Sequence, residues 1–198
     1  FTNSFETALI ARLGKSAKQF GYANEGRSVL LSNSIAKPAW KSEKHEIHYY
    51  LNLVEEIESS YGIEIPQSEP EFGLTVGVER LAAARRILDE SGIPESSRVI
   101  AFCPGSTNSR AKRWPTENYA KLNDLLSADS ANKVVLLGDA SELDVSLEVV
   151  EKSTIKPVVM TGKTSLAEAV SLLSLCTLLV SNDTGPAHIS AALGTKTV

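Results

Sequence analysis

Cysteine is nearly missing from this 198-residue sequence: it has only Cys103 and Cys176, and both fall in apolar segments. That composition speaks against a disulfide-stapled fold and for two buried thiols in a reducing compartment. Positive charge is not in excess either. The net charge of −4 argues against nucleic acid as a partner. The first 97 residues carry 10 basic and 14 acidic side chains, and the remainder carry 10 of each. No apolar run reaches the roughly 20 residues that a membrane-spanning helix needs. No secretory leader is legible at the start. Phe1 in place of Met, and a strand-like Thr195-Lys196-Thr197-Val198 at the end, lead us to expect a segment of a longer protein.

Several site motifs are also absent. Gly162-Lys163-Thr164 has the tail of a phosphate-binding P-loop, but Pro157 stands where its first glycine is required. No G-x-G-x-x-G follows a strand pattern, which removes the dinucleotide fingerprint. No Asp-x-Asp occurs, so a carboxylate pair clamping a metal on a diphosphate is not expected. G-x-S-x-G is missing, and with it the usual hydrolase nucleophile turn. His45 and His48 stand one helical turn apart, but no third ligand joins them at a metal-binding spacing, so a packing or surface role is expected and no metal.

The sequence does contain enough apolar residues, 42%, to build a core. Residues 1–13 read as a helix, with Phe5, Leu9 and Leu13 on one face, Asn3 or Ser4 as the cap and Gly14 as the stop. Short strands are expected over 19–22 and 28–31, on either side of an Asn24-Glu25-Gly26 turn. The spacing of Tyr49, Leu53 and Ile57 predicts a helix over 42–61. Pro66, Pro70, Gly62 and Gly73 mark a loop, and a helix over 79–91 closes at Gly92 with Pro94 beyond. The expected organisation is a first domain over 1–78, a connecting helix and linker over 79–97, and a second domain over 98–198.

From residue 98 the rhythm is regular. Apolar runs over 98–103, 133–137, 157–160 and 177–180 alternate with helix patterns over 116–126, 141–151, 165–176 and 186–193. That alternation predicts an α/β fold, a parallel sheet with helices on both faces. Glu168 lies three residues after Ser165, which makes a capping box for the third of these helices. Pro115 suits the mouth of the first, where a missing N–H costs nothing.

Open parallel sheets bind ligands outside the carboxyl ends of their strands. The segments leaving those ends, 104–114, 138–142, 161–165 and 181–188, carry Ser106, Thr107, Asn108, Lys112, Arg113, Asp139, Glu142, Thr164, Asp183, Thr184 and His188. The first of them combines hydroxyls and three cations ahead of a helix, as a diphosphate requires. The last turns a buried strand through Asp183-Thr184-Gly185 into a helix, which places backbone N–H groups beside a polar cluster suited to phosphate or sugar. Read alone, Asp183 is equally a helix N-cap.

Pro104-Gly105-Ser106 running to Ala111-Lys112-Arg113-Trp114-Pro115, Leu137-Gly138, Gly162-Lys163-Thr164-Ser165-Leu166, and Asn182-Asp183-Thr184-Gly185-Pro186 with His188, taken in that order, resemble the lipopolysaccharide heptosyltransferases of glycosyltransferase family 9. Gly21-Tyr22 and Gly26-Arg27 resemble the same family more weakly. The resemblance implies a GT-B fold of two Rossmann-like domains with parallel sheets, both incomplete in this segment. It implies ADP-L-glycero-D-manno-heptose as donor and the lipopolysaccharide inner core as acceptor. The transfer is then inverting, with no metal and no cofactor, in the cytoplasm at the inner face of the cytoplasmic membrane.

By the same resemblance, Ser106 and Thr107 bind the diphosphate and Lys112 neutralises the departing phosphate. Glu142 accepts from ribose hydroxyls, and Thr164 lies near adenine or ribose. Asp183 holds heptose hydroxyls, while Thr184, Gly185 and His188 reach phosphate. The family's general base is an aspartate expected upstream of Phe1, so the 198 residues alone are expected to bind ADP weakly and transfer nothing. Two alternatives stay open: another GT-B nucleotide-sugar enzyme of the epimerase kind, and a non-catalytic sugar-nucleotide sensor.

Overall fold

The computed structural model describes residues 3–63, 66, 68–106 and 113–198. The chain divides into two compact units, one through Glu71 and one over Phe72–Val198.

The first unit opens with α1 (Phe5–Leu13), capped by the Ser4 hydroxyl, which accepts from the Thr7 N–H at 3.4 Å, and closed at Gly14. Strand β1 (Phe20–Tyr22) pairs in parallel with β2 (Asn33–Ile35). The second strand therefore forms later than expected. The Glu25 (φ 52°) and Gly26 (φ 72°) backbones are both left-handed, and the chain leaves them as a 3₁₀ turn over Arg27–Leu30. The expected strand residue Val29 lies in that turn, 80% exposed. Helix α2 (Glu46–Ser60) starts at His45, whose Nδ1 accepts from the Ile47 N–H at 3.3 Å. His45 thus acts as a cap, and among the described residues no three His, Cys, Asp or Glu side chains gather as a metal site. Tyr22 and Tyr49 stack with ring centroids 4.0 Å apart, and the Tyr22 hydroxyl donates to the Tyr49 carbonyl at 2.6 Å. Burial pushes the Tyr22 phenol up to about 12.

The second unit holds α3 (Val78–Glu90), β3 (Arg98–Cys103), α4 (Thr116–Ser127), β4 (Asn132–Leu136), α5 (Leu143–Lys152), β5 (Val158–Val159), α6 (Leu166–Leu175), β6 (Leu178–Ser181), α7 (Gly185–Leu193) and β7 (Lys196–Thr197). All five strands are parallel, in the order β5-β4-β3-β6-β7. Side chains alternate across a strand, so β3 feeds two cores. Val99, Ala101 and Cys103 face Leu88, Leu172 and Leu173 of α3 and α6, with Ile189 and Leu193 of α7 packed alongside. Ile100 and Phe102 face Tyr119, Ala120 and Val149 of α4 and α5. The helix expected to connect two domains, α3, packs on α6 within the second unit.

One close approach fixes the loop after β5. Gly162 has φ +73°, and a Cβ there would lie 2.9 Å from the Ala140 Cα. Because both the backbone angle and the space exclude a side chain, Gly162→Ala is expected to cost about 1–3 kcal/mol of stability. Urea unfolding monitored by circular dichroism measures it, and a midpoint equal to that of the native protein would refute the reading.

Candidate functional site

The sheet order places the switch point, where the order of strands reverses, between β3 and β6: β4 and β5 lie to one side of that pair and β7 to the other. A crevice forms where connections leave in opposite directions from neighbouring strands. Here the two segments flanking it are Pro104-Gly105-Ser106 after β3 and Asn182-Asp183-Thr184 after β6.

Asn182 ties them together. Its amide Nδ2 donates to the Pro104 carbonyl at 2.8 Å and to the Gly105 carbonyl at 3.1 Å. Its Oδ1 accepts the Trp114 N–H at 2.8 Å and lies 3.4 Å from the Tyr119 hydroxyl. Arg113 adds a second tie, with Nε and Nη2 donating to the Ser106 carbonyl at 3.3 and 2.9 Å. Both feet of the 104–114 loop are therefore fastened to each other and to the β6–α7 turn. Trp114 closes edge-on over Tyr119, with ring centroids 5.0 Å apart. Burial raises the Tyr119 phenol well above its ordinary value. The Cys103 thiol at the end of β3 is raised likewise by burial, with the nearby Glu142 charge acting in the same direction.

Beside this clasp lies a cavity of about 310 Å³. Gly105, Gly138, Glu142, Thr164, Thr184 and Gly185 border it, backed by the apolar Leu137, Leu166, Leu173 and Pro186. Glu142 reaches its place through a capping box: Asp139 Oδ1 accepts from the Ser141 N–H at 2.9 Å, and Glu142 Oε2 accepts from the Asp139 N–H at 3.0 Å. The hydrogen bond from Ser141 holds the Asp139 carboxyl below the usual range. From there the Glu142 carboxylate extends over two glycines. A Cβ on Gly105 would stand 2.3 Å from its Cδ and Oε1, and one on Gly138 would stand 2.8 Å from its Oε2. On the far side, the expected box at α6 is present, with Ser165 Oγ and Glu168 exchanging bonds with each other's N–H groups.

At α7 the N-cap is Thr184, whose side chain makes no capping hydrogen bond. Its hydroxyl donates instead to the Asn182 carbonyl at 3.2 Å. Asp183 is not the cap. It stands one residue earlier, exposed, with its Oδ1 3.8 Å from Nε2 of the equally exposed His188. A Cβ at Gly185 would meet no atom of the described residues within 4 Å.

Of the residues singled out by sequence, Glu142, Thr164, Thr184 and Gly185 meet at one cavity. Ser106 follows the cavity-lining Gly105 in the chain and is buried. Asp183 and His188 pair on the adjoining turn. Thr107 and Lys112 lie outside the described residues. Sequence reasoning quoted Gly105, Gly138 and Asn182 within the motifs but assigned them no role. The signal for Asn182 was a lone amide directly after a buried apolar strand, a position where an unsatisfied side chain is not tolerated.

The whole chain, residues 1–198, matches the family description "Glycosyltransferase family 9 (heptosyltransferase)". The chain belongs to glycosyltransferase family 9. It is 32% identical to lipooligosaccharide heptosyltransferase 2 of Haemophilus influenzae, over 96% of this chain and 56% of that protein. In fold it is similar to the Escherichia coli ADP-heptose lipopolysaccharide heptosyltransferase II structure, with a TM-score of 0.75, 25% identity, and coverage of 99% of this chain and 59% of that one. It also matches the family 9 glycosyltransferase of Veillonella parvula, with a TM-score of 0.78, 23% identity, and coverage of 99% and 54%. This family 9 chain thus spans a little over half the length of these relatives. Its α/β architecture with parallel sheets is that of the GT-B class to which these neighbours belong, as expected from the sequence. No helix among the described residues is long and apolar enough to cross a membrane.

Proposed function

We propose that this chain supplies the donor-binding part of a heptosyltransferase that moves heptose from ADP-L-glycero-D-manno-heptose onto the lipopolysaccharide inner core. One observation carries the reading: in a family 9 chain, a cavity at the β3/β6 switch is bordered by a carboxylate and by a helix start whose N-cap side chain makes no capping bond. A carboxylate accepts from a ribose diol, and an uncapped helix start donates to phosphate. In this reading Glu142 takes the ribose hydroxyls and Thr164 lies beside ribose or adenine. Thr184 and Gly185 donate N–H groups to the diphosphate, helped by Ser106, Thr107 and His188. Asp183 holds heptose hydroxyls, and Lys112 balances charge on the departing phosphate.

The acceptor hydroxyl oxygen bonds to the anomeric carbon, from the face opposite the diphosphate, as the carbon–oxygen bond to the β-phosphate breaks. ADP leaves with the electron pair, and the hydroxyl proton passes to a base. The configuration inverts. The work is done by positioned donors and a cation, with no metal and no further cofactor. The reaction belongs in the cytoplasm, at the inner face of the membrane that holds the acceptor. A transfer assay with labelled ADP-heptose and heptose-bearing core oligosaccharide tests this reading. With the full-length enzyme, labelled oligosaccharide is expected, at a rate unchanged by EDTA. A labelled epimer of the donor, formed without acceptor, would overturn it.

A further inference from the structure

We propose that Asn182 is a positioning residue for donor binding, holding the β6–α7 turn and both feet of the 104–114 loop in one register. The proposal rests on the donor-site reading above. A primary amide offers two N–H donors and an oxygen with two lone pairs. Asn182 directs the donors at the Pro104 and Gly105 carbonyls and the oxygen at the Trp114 N–H and the Tyr119 hydroxyl. The residue is 6% exposed, so solvent cannot replace these partners. Its partners lie 63 to 78 residues from it in the chain. The next two residues, Asp183 and Thr184, lead into α7, and the other end of the clasp leads in sequence toward Lys112. A displacement of the turn therefore moves both feet of the loop. Leucine has nearly the same shape and makes none of these bonds. Aspartate keeps the acceptor but turns a negative oxygen toward two carbonyl oxygens.

The test reads hydrogen exchange at the Trp114 amide, ADP affinity by calorimetry and the melting temperature, in the native protein, Asn182→Leu and Arg113→Gln. In the native protein the Trp114 amide is expected to be protected, and ADP to slow its exchange further. Asn182→Leu, held well below its melting temperature, is expected to lose that protection and bind ADP about tenfold more weakly. Arg113→Gln, which frees only the Ser106 carbonyl, is expected to weaken ADP about threefold. Native-like ADP affinity in folded Asn182→Leu, with only the melting temperature lowered, makes Asn182 structural and overturns the proposal. If Asn182→Leu does not fold, native-like affinity in Arg113→Gln together with no effect of ADP on Trp114 exchange overturns it. A native protein that does not bind ADP overturns the donor reading instead. In that case an unprotected Trp114 amide would overturn the clasp as well.

Discussion

Replacing Lys112 by alanine is expected to lower turnover by about 100-fold while weakening ADP-heptose binding much less. The leaving diphosphate gains negative charge only as the glycosidic bond breaks, so a cation placed at it stabilises the transition state more than the bound donor. Removing one such electrostatic partner typically costs about 2.7–4 kcal/mol of barrier, which sets the expected size. Lys112 lies directly before Arg113 in the chain, and Arg113 bonds back to Ser106. Steady-state kinetics of the intact enzyme, with donor affinity measured separately, decide the matter. A loss confined to the Michaelis constant would assign Lys112 to ground-state binding alone.

The second large effect is expected at the pair Gly105 and Glu142. In the proposed reading, Glu142→Ala removes a charged acceptor for the ribose hydroxyls, worth about 1.5–3 kcal/mol, or roughly 10- to 100-fold in ADP affinity. Gly105→Ala should reach nearly the same loss by a different route. Its new Cβ occupies the space of the Glu142 Cδ and Oε1, which lie 2.3 Å from that position. The end of a glutamate side chain moves readily, so the fold is expected to survive while the carboxylate is driven off its station. The two changes should then fail to add: in the Glu142→Ala background, Gly105→Ala should cost little further affinity. Calorimetric titration of ADP into the two single variants and the double variant measures the coupling. Additive losses would mean that Glu142 does not hold the ribose from its present position.

Much of the second unit was legible because its elements follow local rules. The strand over 98–103 appears with those bounds, since a continuous apolar run between a charged residue and Pro-Gly has little other use in a parallel sheet. The capping box at Ser165 was readable for the same reason: a cap is a contact between near neighbours in the chain. The first unit was harder. Val29-Leu30-Leu31 has strand composition, yet two successive left-handed residues set the chain on a 3₁₀ turn, and pairing begins only at Asn33. At the site, sequence found the residue types but not their work. Asp183 read as a cap or a ligand, and the structure removes the cap by giving it to Thr184. Glu142 read as a loop carboxylate, and only the fold shows it lying over two glycines from two different loops. Asn182 was hidden because its partners, Pro104, Gly105 and Trp114, are brought to it by the sheet order and not by proximity in sequence.

Fastening a loop at both feet separates the cost of closing it from the identity of its tip. The entropy of bringing residues 106 and 113 together is met by the Arg113 and Asn182 bonds, whatever stands between them. Length then enters only logarithmically, so adding or exchanging a few residues there is inexpensive for folding. Substitutions between the feet should therefore be felt in the chemistry proposed for Lys112 and not in the stability of the sheet beneath.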